Sequence, residues 1–224
     1  MVAILVILTV VAFVAVDALR VWRKARGLRT AGATEPVQAF AGVRVPRGLF
    51  LDSAHGWVRL TESGELKVGL DEFLTQALGG ADRVDLPEAG TQVRKGQKLA
   101  TVWRLGHRLD VVAPVSGRVV ATNDTVEYRP DVLGADPYGS GWLARIWPAD
   151  HSDALHGLKV GNRAAAWLMD EVQRFAEFLS RHTETALIGA TLPDGAHPVI
   201  GAALTLDEDA WKEFERDFAG VSEA

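Results

Sequence analysis

The first sixteen residues carry no charged side chain, and Thr9 is the sole polar one in a run of Val, Ile, Leu, Ala and Phe. Past Asp17 the apolar character continues through Ala18 and Leu19. A helix over residues 2–22 would be roughly 31 Å long, close to the hydrocarbon thickness of a bilayer. It has no polar stripe at helical spacing, as a buried soluble helix would. Arg20, Arg23, Lys24, Arg26 and Arg29 follow, with Trp22 among them. A secretory signal peptide has the reverse order, with its charge first. The pattern therefore predicts a transmembrane helix with its basic flank over residues 1–26, in the inner (cytoplasmic) membrane. By the positive-inside bias the N-terminus lies outside and the remainder is cytoplasmic. Asp17, one turn before Arg20, reaches the interface and pairs there. Residues 27–45, with Gly27, Gly32, Pro36 and Gly42 among small and polar neighbours, read as a linker.

From residue 46 to about 150, short β-type runs alternate with turn residues. Trp57–Leu60 and Leu66–Leu70 flank Thr61-Glu62-Ser63-Gly64, a hairpin signal. Asp71–Leu78 has helical composition and stops at Gly79-Gly80. Arg83–Leu86, Leu99–Arg104, Leu109–Val112, Gly117–Ala121 and Trp142–Trp147 are further strands, and Asp136-Pro137-Tyr138-Gly139 has the residue order of a type I turn. Many short strands with one short helix predict a compact barrel or sandwich.

Beyond residue 155 the pattern predicts a small α-β-β-α extension over 156–224. Asn162 is a candidate cap for a helix to His182. Leu168, Val172, Phe175 and Leu179, widened by Ala164, Trp167 and Phe178, form its apolar stripe, with Arg163, Asp170, Glu171, Arg174, Glu177 and Arg181 on the other side. Ala186–Leu192 and Pro198–Leu206 read as a hairpin, and Asp207–Phe218 as a second helix with Trp211, Phe214 and Phe218 on one face. So small a unit buries little alone and is expected to pack on the barrel or on another subunit.

Composition narrows the chemistry. Lys+Arg 24 against Asp+Glu 29 leaves a net charge of −5, which excludes a strongly basic nucleic-acid binder. Residues 1–50 hold seven basic and two acidic side chains, so a basic neck precedes an acidic body. The absence of Cys excludes disulfides, iron–sulfur clusters, thiolate zinc sites and a cysteine nucleophile. Six His residues show no metal-ligand spacing: His151 and His156 are five apart, on different helix faces. Asp150-His151-Ser152-Asp153 has the residue types of a hydrolase triad, but adjacent positions cannot reach its geometry, and it reads as the first turn of a helix. No phosphate-binding glycine loop occurs. No catalytic residue, no metal site and no enzymatic activity are expected.

Several less common words then occur in order: His55-Gly56-Trp57-Val58, Val68-Gly69-Leu70, Ala77-Leu78-Gly79 and Val84-Asp85-Leu86-Pro87-Glu88-Ala89-Gly90. Val93-x-x-Gly96-x-x-Leu99, Ala113-Pro114-Val115-Ser116-Gly117 and Asp136-Pro137-Tyr138-Gly139-x-Gly141-Trp142-Leu143 complete the series. Over residues 46–155 this resembles the glycine cleavage system H-protein family. The resemblance implies a mainly β fold, the barrel-sandwich hybrid of lipoyl domains, and makes His55 part of the family framework rather than a base. It also implies an exposed hairpin whose lysine carries lipoate and shuttles an aminomethyl group. Counted back from Ala113-Pro114-Val115-Ser116-Gly117, that lysine position falls on Gly106, within Trp103-Arg104-Leu105-Gly106-His107-Arg108. The six lysines are Lys24, Lys67, Lys95, Lys98, Lys159 and Lys212, none between 98 and 159. Lipoate and biotin both need an amine that is missing there, so no cofactor is expected.

Trp103, Arg104, His107 and Arg108 at this turn are either a contact patch for an acidic partner or a solvated turn with Trp103 folded back onto the barrel. The reading that follows is a non-enzymatic, membrane-anchored accessory subunit. It meets the lipid bilayer through residues 2–22 and integral membrane protein subunits through its cytoplasmic domain, a respiratory or photosynthetic redox assembly being the nearest analogy. The alternatives are a carrier of a lipoate- or glycine-cleavage-type system with unconventional attachment, and a periplasmic module released by signal cleavage.

Overall fold

The computed structural model describes residues 36–40, 43–182 and 200–221. The chain divides into two units, Met1–Glu35 and Pro36–Ala224, and everything described belongs to the second. The expected transmembrane helix lies outside the described residues; among these, no helix is long and apolar enough to cross a membrane.

β1 (Pro36–Phe40) and β2 (Val43–Pro46) pair antiparallel. This corrects the reading of 27–45 as a linker throughout: its end is strand, and Val45 is buried in the main core. β3 (Phe50–Leu51) leads to β4 (Gly56–Leu60) and β5 (Leu66–Leu70), the expected hairpin. Its turn closes where the Thr61 N–H and hydroxyl both donate to the Glu65 carbonyl at 2.9 Å. α1 (Glu72–Leu78) starts where Asp71 Oδ1 accepts the Leu74 N–H at 3.0 Å and stops at Gly79, whose φ is +69°.

β6 (Arg83–Asp85), β7 (Gln92–Val93), β8 (Lys98–Arg104), β9 (His107–Val112) and β10 (Gly117–Thr122) follow. Two short helices, α2 (Asp124–Tyr128) and α3 (Val132–Ala135), come before β11 (Trp142–Pro148). They were not foreseen, having too few residues for a periodic stripe. Asn123 caps α2, and its side-chain amide donates to the Ser140 and Trp142 carbonyls, both at 2.7 Å. The turn at Asp136–Gly139 forms as expected, with the Gly139 N–H on the Asp136 carbonyl at 3.2 Å.

The strands make a seven-stranded antiparallel sheet in the order β12-β3-β4-β5-β11-β10-β7, where β12 is Lys159–Val160, and a three-stranded sheet in the order β6-β8-β9. Between them Val58, Leu66, Val68, Leu99, Val115, Val119 and Ile146 form a packed apolar cluster. On the other side of β4, the Trp57 ring lies over Gly69 and donates Nε1–H to the Pro137 carbonyl at 3.0 Å. A Cβ at residue 69 would sit 2.8 Å from that ring, so glycine is what admits the tryptophan.

The C-terminal part departs from expectation in four places. Residues 150–153 open a series of turns, with the Ser152 N–H on Asp150 Oδ1 at 2.8 Å, and the next helix, α4 (Gly161–His182), begins only after β12. Gly161 opens that helix, leaving Asn162 inside the first turn rather than before it. Glu171 is buried rather than on the polar side. Residues 200–206 form a turn and a 3-10 helix (Ala202–Thr205) instead of a strand, because the Gly201 N–H donates to the Gln76 carbonyl at 2.8 Å and so closes the open end of α1. The other half of that expected hairpin, 186–192, lies outside the described residues. α5 (Glu208–Phe218), capped by Asp207, buries Trp211, Phe214 and Phe218 as expected. Phe73 of α1 meets Phe175 of α4 at 5.5 Å and Phe218 of α5 at 6.0 Å between ring centres, so the extension shares one core with the β domain.

Candidate functional site

β8 and β9 pair with Arg104 opposite His107 and are joined by Leu105 and Gly106 alone. Both turn residues have positive φ, +47° and +88°, as a two-residue type I′ hairpin demands. Gly106 suits this conformation; Leu105 does not, and its side chain is 69% exposed. The strain is offset by Asp82. Its Oδ2 accepts the Leu105 N–H at 2.7 Å and its Oδ1 accepts from Arg104 Nη1 at 2.6 Å. These two contacts, the backbone one foremost, hold the Asp82 carboxyl below the ordinary carboxylate range.

The other residues expected at the turn are also partnered. Trp103 Nε1 donates to Asp85 Oδ2 at 2.7 Å, while the Arg83 guanidinium lies 4.5 Å from its ring centre and bonds the same carboxylate. Arg108 Nη2 donates to Asp110 Oδ2 at 2.7 Å. Burial works against the Asp110 carboxylate, but the Thr101 hydroxyl, Lys98 and Arg108 outweigh it and keep its pKa low. His107 packs against Trp211 of α5, with ring centres 4.4 Å apart and the planes tilted by 43°, and Trp211 Nε1 donates to the Arg108 carbonyl at 3.2 Å.

Trp103, Arg104, His107 and Arg108 are thus brought together on one hairpin, but the expected excess of positive charge is matched by Asp82, Asp85 and Asp110. Asp110 was legible as an i, i+2 partner of Arg108. Asp82 and Asp85 were not, because they reach the turn through the pairing of β6 with β8. Leu105, the most exposed side chain of the turn, was also passed over.

The hairpin does not fit an acyl-lysine. Gly106 offers no side chain, and the hairpin's own lysine, Lys98, lies at the base of β8 with its Nζ 3.0 Å from Asp110 Oδ1.

His55 occupies a different place. Its side chain is wholly buried, with Nδ1 2.7 Å from Asp71 Oδ2 and Nε2 3.5 Å from Glu171 Oε2, the outer edge of hydrogen bonding. Phe73 stacks on the ring at 4.3 Å and Trp167 lies at 4.9 Å. Burial disfavours the imidazolium, but the two carboxylates outweigh it and the pKa is raised. Glu171 also binds Arg174. The carboxylates take opposite nitrogens of one ring, an arrangement that braces the fold rather than converging on a metal. His151 bonds the Gly64 carbonyl at 3.1 Å.

The glycine cleavage H-protein family model matches residues 49–171. The glycine cleavage system H protein of Halorhodospira halophila is 40% identical over 110 residues, covering 49% of this chain and 85% of that protein. The one from Shewanella denitrificans is 38% identical over 109 residues, covering 49% and 84%. The crystal structure of a glycine cleavage system H protein from Mycobacterium marinum aligns with a TM-score of 0.50 at 29% identity, covering 55% of this chain and 98% of that one. The matches span the β domain and leave most of the C-terminal extension unmatched.

Proposed function

The chain belongs to the glycine cleavage H-protein family, and on that premise we propose that it is a non-catalytic accessory subunit that uses the family's domain for docking rather than as a cofactor carrier. The observation that carries this reading is Gly106 at the turn between β8 and β9, where acylation would need an amine. Trp211 adds support: it comes from outside the family match and covers the flank of the same hairpin. An arm that must swing between enzymes needs a free hairpin, whereas a docking module gains from a braced one.

The apolar run of residues 2–16 and the arginines after it support a cytoplasmic-membrane anchor over residues 2–22, N-terminus outside. Such an anchor raises the domain's effective concentration against integral membrane partners. The test is intact-mass analysis of the chain purified from its native membrane fraction after alkaline carbonate washing. The reading expects an unmodified mass, retention in the membrane and co-purification of integral membrane subunits.

The second reading, a carrier with unconventional attachment, is favoured by the family membership itself. A lipoyl adduct on any lysine of the native protein makes that reading correct and overturns the first.

A further inference from the structure

We infer that the outer face of the seven-stranded sheet, centred on Arg59, Lys67 and Arg145, is a docking surface for an acidic segment of a partner protein. The antiparallel register sets Arg59 of β4 directly opposite Lys67 of β5, and Lys67 opposite Arg145 of β11. Three cationic side chains therefore rise in a row from three neighbouring strands, their Cβ atoms about 5 Å apart from one to the next. Like charges opposite one another destabilise a sheet. Their side chains cannot turn inward, because Val58, Val68 and Ala144, one position along each strand, fill the interior.

Compensation within the fold is incomplete. Glu65 Oε2 accepts from Arg145 Nη1 at 2.9 Å. Asp136 acts on Arg59 only at a distance, its Oδ2 being taken by the Ser140 N–H at 2.7 Å. Lys67 makes no ion pair among the described residues; its Nζ lies 5.3 Å from the centre of the Trp142 ring. Burial lowers the Lys67 pKa, and Arg59 and Arg145 lower it further. Along the same sheet, Arg118 of β10 lies opposite Trp147, which is 44% exposed. Tryptophan and arginine together are the side chains most often responsible for binding energy at protein interfaces.

The hairpin provides the contrast, since its two arginines, Arg104 and Arg108, each meet an aspartate. In a chain of net charge −5, a row of three cations with a single ion pair, Arg145 to Glu65, is a local rule broken, and such breaks gather at functional positions. Carboxylates on alternate residues of an extended segment stand about 7 Å apart. They would reach Arg59 and Lys67 while leaving Arg145 to Glu65. A uniformly anionic lipid surface cannot avoid Glu65 in this way, and so a polypeptide is the occupant assigned. This surface depends neither on the missing hairpin amine nor on the expected anchor.

The test uses the full chain in neutral detergent micelles, with a synthetic octaglutamate peptide as probe at low ionic strength. Binding is expected to shift the amide resonances of residues 59, 67 and 145 and the Trp142 indole, and to weaken as salt is added. The double variant Arg59→Gln/Lys67→Gln should lose about tenfold in affinity and, with its charge repulsion removed, melt no lower than the parent. The control Arg104→Gln/Arg108→Gln should bind as the parent does. No binding, an equal loss in the control, or shifts on this face with phosphatidylglycerol-doped micelles but not with the peptide would each overturn the proposal.

Discussion

His55 Nδ1 lies 2.7 Å from Asp71 Oδ2 with both side chains wholly buried, and this one contact joins three parts of the fold. Asp71 caps α1 with its other oxygen, and the second nitrogen of His55 faces Glu171 on α4. The imidazole therefore couples the start of β4, α1 and α4.

The coupling makes stability depend on pH in a defined direction. The folded-state pKa of His55 is raised, so its contribution is fully present below the unfolded value, about 6.5, and is lost as pH rises through the folded value. Glu171 is shifted down, because His55 and Arg174 outweigh the effect of its burial. Its contribution is present above about 4.3 and fades as pH falls through the folded value. Urea midpoints measured across pH should therefore peak between these limits and decline toward alkaline pH. In His55→Gln the alkaline decline should flatten.

Asp71→Asn keeps a good helix cap but removes the charge facing His55. Breaking a buried pair in this way should cost about 3 kcal/mol in urea unfolding. Glu171→Gln should cost less, since Glu171 stands at the rim beside Arg174.

Gly69→Ala puts a methyl group 2.8 Å from the Trp57 ring. Overpacking at this position should cost about 1–3 kcal/mol. It should also shift the Trp57 indole resonance as its bond to the Pro137 carbonyl is strained.

Trp211→Ala removes the ring that covers His107 and the donor to the Arg108 carbonyl. A loss of about 3–4 kcal/mol is expected. Hydrogen exchange should quicken along β9, whose Arg108 carbonyl loses its donor, more than along β5, which belongs to the other sheet.

Leu105→Asn replaces a strained leucine with the residue that type I′ turns prefer next to glycine. With Leu105 largely exposed, little packing is lost, and a gain of about 1 kcal/mol is expected. An unchanged or lower denaturation midpoint would contradict the strain assigned to this turn.

The sequence by itself determined β4, β5, β6, β8, β9, β10 and β11, α1 and the turn at Asp136–Gly139, because turn residues, helix caps and apolar stripes act through neighbours a few positions away. It also determined that the hairpin turn has no lysine, which is a matter of composition and needs no coordinates. Tertiary structure decided which charges meet. Asp82 reaches Arg104 only because β6 pairs with β8, and Glu171, three residues after Leu168 and four before Phe175 on the buried side of its helix, is matched there because the fold sets His55 against it. The cationic row was hidden for the same reason. Arg59, Lys67 and Arg145 stand apart in the chain, and only the strand register sets them side by side. Local propensity is written along the chain, whereas electrostatic matching depends on which distant segments the paired strands bring within a few ångströms.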